Sequence, residues 1–164
     1  MKTEKKKGKK VSSSLVEMTQ MVLPNDTNRL GNLLGGRLME WIDICAAIAC
    51  QRHTNRVCVT AAVDELVFLH PIRQGDVVTL RSSVNRVFSS SMEVGVHVTV
   101  EDPIRDTKKK SNKAYLTFVC LGDDGKPMKV QPVIPVSGEE RRRYRDAGKR
   151  REHRLKVRKQ IGRR

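Results

Sequence analysis

One stretch constrains this chain more than any other. Residues 33–51 read LLGGRLMEWIDICAAIACQ, with apolar residues at 34, 38, 41, 42, 45, 48 and 49, the spacing of a helical face. Ala46, Ala47 and Cys50 widen that face until most of the circumference is apolar or small. A helix of this kind needs cover on nearly every side. Nothing else in the central region reads as a helix, so strands must supply the cover.

Four strand-like runs follow, at 57–69, 76–88, 91–102 and 113–121, and an entering strand at 13–23 stops at Pro24. The third run alternates most clearly. Met92, Val94, Val96, Val98 and Val100 fall on one face, and Glu93, Gly95, His97 and Thr99 on the other. The separators at 71–75, 89–90, 102–111 and 122–125 read as hairpin-type connections. The expected fold is α+β, a long antiparallel sheet whose apolar concave face wraps one helix. Long strands of this kind also suit sheet-to-sheet pairing between subunits.

With 164 residues the chain has room for one domain and little more. Its net charge of +15 invites a nucleic-acid reading, but the charge is unevenly placed. Residues 1–10 hold six lysines against one glutamate, and residues 139–164 hold thirteen Lys/Arg against four Asp/Glu. The stretch between is nearly neutral. The expected division is a basic disordered arm at 1–10, a folded domain at 11–138 and a basic, partly helical tail at 139–164. The basic ends carry one aromatic, Tyr144, and no nucleic-acid module. They are read as solvated tails that could attract a phosphate-bearing ligand, and nucleic acid is not the expected partner.

No apolar run approaches the ~18 residues of a membrane span. Polar residues also break the stretch after the basic N-terminus, which argues against export and for a cytoplasmic protein. Cysteines 45, 50, 58 and 120 lie in apolar stretches without a C-x-x-C pair. They are expected to be reduced packing residues, with no metal bound.

Residues 25–36 hold the candidate chemistry. Asp26 and Asn28 precede Gly35-Gly36, which opens the buried helix. A helix N-terminus offers unpaired N–H groups and partial positive charge, and glycines let a ligand approach the backbone closely. Those groups could hold a phosphate or the oxyanion of an attacked acyl carbonyl. Asp26 would act as base or nucleophile and Asn28 would orient water or the carbonyl. On composition alone the same loop is an ordinary helix cap.

The segment LPNDTNRLGNLLGGRLMEWID resembles the hotdog-fold acyl-CoA thioesterases, in their acyl-coenzyme A hydrolase branch. The resemblance continues through AAVDELVFLHPIRQGDVV, SSSMEVGV and SNKAYLTFV, and covers residues 13–136. It implies the hotdog fold, sites at subunit interfaces, and hydrolysis of acyl-CoA to free acid and CoA without a cofactor or metal. It also implies a homo-oligomer of hotdog dimers, such as a trimer of dimers. Asp26 falls on the family's catalytic carboxylate and Asn28 on its asparagine, acting from opposite subunits. Gly35 and Gly36 fall on the helix-start glycines. Where many members have a histidine before the glycine pair, this chain has Leu34, so no histidine is assigned to catalysis. Ser90, Ser91, Met92, Asn112 and Lys113 lie on segments that border the CoA nucleotide in relatives.

Asp43, at i+3 from Glu40, is either a buried partner for a backbone or arginine group or a second catalytic carboxylate. His53 and His70 are read as structural, and the serines at 89–91 lack the G-x-S-x-G elbow. The reading is an acyl-CoA thioesterase. A non-catalytic acyl-CoA-binding regulator on the same fold, with tails touching nucleic acid, is the rival, and a hotdog hydratase would need a histidine that 25–36 lacks.

Overall fold

The computed structural model describes residues 7–64 and 66–161. In chain order the elements are β1 (Lys9–Lys10), β2 (Val16–Met21), α1 (Gly35–Thr54), β3 (Cys58–Val63), β4 (Val77–Val87), β5 (Ser91–Asp102), β6 (Thr107–Cys120), β7 (Val133–Ile134) and α2 (Gly138–Ile161). Five strands form one antiparallel sheet in the order β2-β4-β5-β6-β3. Short β1 pairs in parallel with β7.

Alternation in the strands decides which face meets the helix. Val78, Leu80 and Val84 of β4, Met92, Val94, Val96 and Val98 of β5, and Ala114, Leu116, Phe118 and Cys120 of β6 are almost wholly buried. Against them lie Leu38, Trp41, Ile42, Cys45, Ala46, Ala49 and Cys50 of α1. The helix is therefore the core of the sheet's concave side, as its apolar circumference requires. Polar ties cross this contact too: Ser82 Oγ donates to the Cys45 carbonyl at 2.8 Å.

Several expectations need correction. β3 ends at Val63 in place of the expected strand to 69, and β6 begins at Thr107, inside the expected 102–111 connection. The 71–75 connection is not a hairpin, because β3 pairs with β6 at one edge of the sheet while β4 pairs with β2 and β5. Lys9 and Lys10 belong to β1 rather than to a disordered arm; residues 1–6 of that arm lie outside the described residues. The C-terminal segment is helical as expected, but it is not a solvated tail. α2 is a 24-residue helix opened by a capping box: Ser137 Oγ accepts from Glu140 N–H at 3.1 Å, and Glu140 Oε2 accepts from Ser137 N–H at 2.9 Å.

α2 covers the outer face of the sheet and is no solvated tail. Glu93 of β5 is fully buried there and accepts a two-pronged bond from Arg150, at 2.7 and 3.1 Å. Asn85, the residue inserted by the β4 bulge between Val84 and Arg86, donates to the same carboxylate at 3.1 Å. Arg154 reaches Asp64 at 2.8 Å, and the Arg150 guanidinium stacks on Tyr115 at 3.7 Å. Among the described residues no helix is long and apolar enough to cross a membrane.

Candidate active site

α1 begins without a side-chain cap, since Leu34 at its N-cap has none to offer. The first intrahelical bond runs from Leu38 N–H to the Leu34 carbonyl at 3.1 Å. The N–H groups of Gly35, Gly36 and Arg37 therefore point out of the helix end. A Cβ on Gly35 would meet the Phe68 ring at 3.3 Å, whereas one on Gly36 would meet nothing within 4 Å. The tip is thus roofed over Gly35 and open over Gly36. Beside it lies a cavity of about 310 Å³ lined by Leu33, Leu38, Phe68 and Ile72.

Asp26 is brought to this tip, because Leu34 N–H donates to its backbone carbonyl at 2.8 Å. Its carboxylate is already engaged. One oxygen accepts from Leu23 N–H at 3.0 Å and the other meets Arg37 Nε at 3.1 Å, leaving the side chain 13% exposed. Asn28 closes its own turn in a similar way, its Oδ1 accepting from Leu30 N–H at 2.9 Å and Asn32 N–H at 3.2 Å.

Asp43 is held differently. It lies seven residues after Gly36, so the two share one face of α1, roughly 10 Å apart along the axis. Thr60 of edge strand β3 donates its hydroxyl hydrogen to Asp43 Oδ1 at 2.6 Å. Next to Thr60 the strand bulges, with the register slipping between Thr60 and Ala62. A bulge is a common means of aiming a side chain.

The five residues expected beside a CoA nucleotide do not gather. Ser91 pairs with Val119 and His97 with Lys113, which puts the two groups six residues apart along β5, or roughly 20 Å. Met92 is fully buried in the core and does not reach a ligand at the surface. Ser90 uses its carbonyl to accept from Cys120 N–H at 2.9 Å. Asn112 is buried and donates to the Val67 carbonyl, tying down the segment after β3. Asn112 and Lys113 nevertheless line a cavity of about 750 Å³ whose other walls include Arg81, His97 and Arg143.

Comparison with known proteins fits this architecture. The thioesterase superfamily model matches residues 30–106. An uncharacterized acyl-CoA thioester hydrolase of Bacillus subtilis, YkhA, is 44% identical over 77% of this chain and 74% of its own length. This chain belongs to the hotdog-fold acyl-CoA thioesterases. A mouse relative in this family, acyl-coenzyme A thioesterase 11, is 42% identical over 85% of this chain, which spans 23% of that protein's length. Staphylococcus aureus acyl-CoA hydrolase, solved with butyryl coenzyme A, coenzyme A and coenzyme A disulfide, superposes on this hotdog chain with a TM-score of 0.86 at 36% identity. That match covers 96% of this chain and 95% of the other. Alanine variants of the same enzyme superpose with TM-scores of 0.84 to 0.89. The residues replaced there, an asparagine, a threonine and an aspartate, carry the same numbers as Asn28, Thr60 and Asp43 in this family member.

Nothing in the sequence reading singles out Thr60, because a threonine in a strand is an ordinary strand former. The signal that could have found it is spatial, a hydroxyl opposite a mid-helix carboxylate.

Proposed function

We propose that this chain hydrolyses acyl-CoA thioesters to a free acid and CoA, with Asp43 as general base. The observation that carries this is the Asp43–Thr60 pair. The hydroxyl occupies one carboxylate oxygen at 2.6 Å and leaves the other for a water, on the helix face that also carries Gly36. A thioester carbonyl is already activated, so a positioned base and a site for the developing oxyanion suffice. The N–H groups at Gly36 and Arg37 supply that oxyanion site, aided by the helix dipole. The chemistry as proposed uses no metal or cofactor.

One chain cannot complete it. A carbonyl held at the helix tip lies roughly 10 Å from the same chain's Asp43. Two copies joined at their free β3 edges by a two-fold axis run their α1 helices antiparallel, so one copy's tip and Asn28 meet the other's Asp43 and Thr60. Apolar side chains stand exposed along that edge and on α1: Val57 is 65% exposed, and Val59 and Val63 of β3 and Met39 and Ile44 of α1 are each more than 40% exposed. A second copy would cover them. Asp26 serves in this reading as the residue that folds the loop onto the tip rather than as the base. The 750 Å³ cavity is lined by Arg81, Lys113 and Arg143 against one carboxylate, Glu139, so its wall is positive on balance and suits phosphate groups of CoA. Two of these cations are already paired, Arg81 with Glu17 and Arg143 with Glu139. The inward use of Arg150 and Arg154 weighs against basic ends that serve nucleic acid.

Release of free CoA thiol, followed across acyl chains from acetyl to palmitoyl, tests the reading. Turnover that falls sharply in Asp43→Asn supports it. Lack of hydrolysis by the wild-type protein on every chain length, or full activity in Asp43→Asn, overturns it.

A further inference from the structure

We propose that Cys58 and Cys120 form a dithiol that a hydroperoxide closes into a cross-strand disulfide. This goes beyond thioester chemistry and does not depend on it. The two residues stand directly opposite one another where β3 pairs with β6. The neighbouring pair carries the ladder bond, Leu121 N–H donating to the Val57 carbonyl at 2.9 Å. The backbone of Cys120 is turned away from Cys58: its N–H donates to Ser90 and its carbonyl accepts from Met128, both at 2.9 Å. Cys58 and Cys120 therefore occupy a position without ladder bonds, where opposite Cα atoms come within about 4.5 Å and side chains lie closest. That separation falls inside the ~4.4–6.8 Å window that a disulfide needs.

The surroundings assign the two thiols different parts. Three polar groups act on the Cys58 thiol: Cys50, the largest influence, Thr54, whose Oγ1 lies 3.4 Å from the sulfur, and Cys120 itself. Together these outweigh burial and lower its pKa to about 6, which makes it the thiol of the pair that ionises first. Burial holds Cys120 and Cys50 protonated, with both pKa values raised. Cys45 stands apart, its thiol against Ser82 Oγ at 3.3 Å. A cavity of about 300 Å³ lined by Thr54, Arg56, Cys120 and Lys129 brings a small oxidant past a cationic rim to Cys120, directly across the ladder from Cys58, which is itself 8% exposed. A metal is the wrong occupant, since among the described residues no group of three His, Cys, Asp or Glu is arranged to hold one.

The step balances in two parts. The Cys58 thiolate attacks one peroxide oxygen, the O–O bond breaks and hydroxide leaves, giving a sulfenic acid. The Cys120 sulfur then attacks the Cys58 sulfur, the S–O bond breaks, and the departing hydroxide takes the Cys120 proton as water. Two thiols lose two electrons and two protons, and hydrogen peroxide becomes two waters, the first hydroxide taking up the proton that Cys58 released on ionising. Thr60 lies two residues further along β3, so the new bond would form beside the Asp43–Thr60 pair.

Graded hydrogen peroxide on the reduced wild-type protein, followed by alkylation and non-reducing peptide mapping by mass spectrometry, tests this. The expected product has lost two hydrogens, links the Cys58 and Cys120 peptides, and reverts with dithiothreitol. Cys50→Ala should still form the link, several-fold more slowly, because the Cys58 thiolate loses its main donor. A Cys50–Cys58 link overturns the proposal. So does accumulation of Cys58 sulfinic acid without a link in protein whose circular dichroism is unchanged.

Discussion

Thr60 and Asp43 come from elements far apart in sequence, yet the Thr60 hydroxyl lies 2.6 Å from a carboxylate oxygen of Asp43. Asp43 is fixed by the helix that also carries Gly36, and Thr60 by the strand edge that no other strand of the sheet covers. The pair ties the position of a candidate base to the edge where a second copy would dock.

Replacement of Asp43 by Asn should therefore cost ~10²-fold or more in kcat, the loss of a general base, with the fold intact. Thr60→Ala removes one charge-assisted hydrogen bond and should cost about tenfold. Asp26→Asn should behave in the opposite way. Its carboxylate holds Leu23 and Arg37, so thermal stability falls by about 1 kcal/mol while turnover stays within a few-fold of wild type. Steady-state kinetics beside thermal melts separate the two aspartates. A Asp26→Asn enzyme as dead as Asp43→Asn would return the base to Asp26.

Gly36→Ala makes a second contrast. The added methyl meets nothing within 4 Å of the folded chain and removes glycine's entropy cost, so stability should rise by about 0.5 kcal/mol. The same methyl stands where a carbonyl would approach the tip N–H groups, so kcat should fall by ~10²-fold. Melting and turnover that move together would argue against an oxyanion site at the tip.

The helix and its cover were legible because residues 33–51 are apolar or small around most of the helix and β5 alternates from Met92 to Val100. Strand order was not. Turn residues at 71–75 announce a change of direction, but the placement of β3 beyond β6 depends on contacts distant in sequence. The helix at the C-terminal end was legible from its composition, but its packing on the sheet was not. Its inward stripe is Arg143, Ala147, Arg150 and Arg154, helical in spacing but polar, so a hydropathy pattern reads it as solvated. The Ser137–Glu140 capping box was in the sequence and marks the helix start more firmly than hydropathy does. Of the site, the glycine pair and its loop were visible, while the partner of Asp43 required the bulge beside Thr60 to be seen in space.

If α2 is part of the fold, breaking its anchor must cost stability. Arg150→Ala leaves Glu93, 0% exposed, with only Asn85 and the more distant Arg154 at 3.5 Å. Removing one member of a buried pair costs about 3 kcal/mol, which for a chain of this length is a fall in Tm of roughly 6–12 °C. Arg158→Ala, on the exposed last turn, is the control and should leave Tm unchanged. Equal melting of the two variants would mean that α2 contributes nothing to stability.

His53 gives the fold a pH dependence of known sign. Its side chain is fully buried near the end of α1, with Nε2 3.0 Å from the Gln131 carbonyl and Nδ1 without a partner among the described residues. Burial, the largest influence, lowers its pKa; Lys9 lowers it further, and the Gln131 carbonyl acts in the opposite direction. A histidine harder to protonate when folded makes the unfolded chain bind more protons below about pH 6.5. Its contribution to stability is full above that pH and is lost as pH falls toward the depressed folded value. Thermal melts at pH 7.5, 6.5 and 5.5 should show Tm dropping over the lower step. In His53→Gln, which cannot titrate, that part of the drop should vanish although the overall Tm is lower. An unchanged slope in the variant would assign the acid sensitivity to other groups.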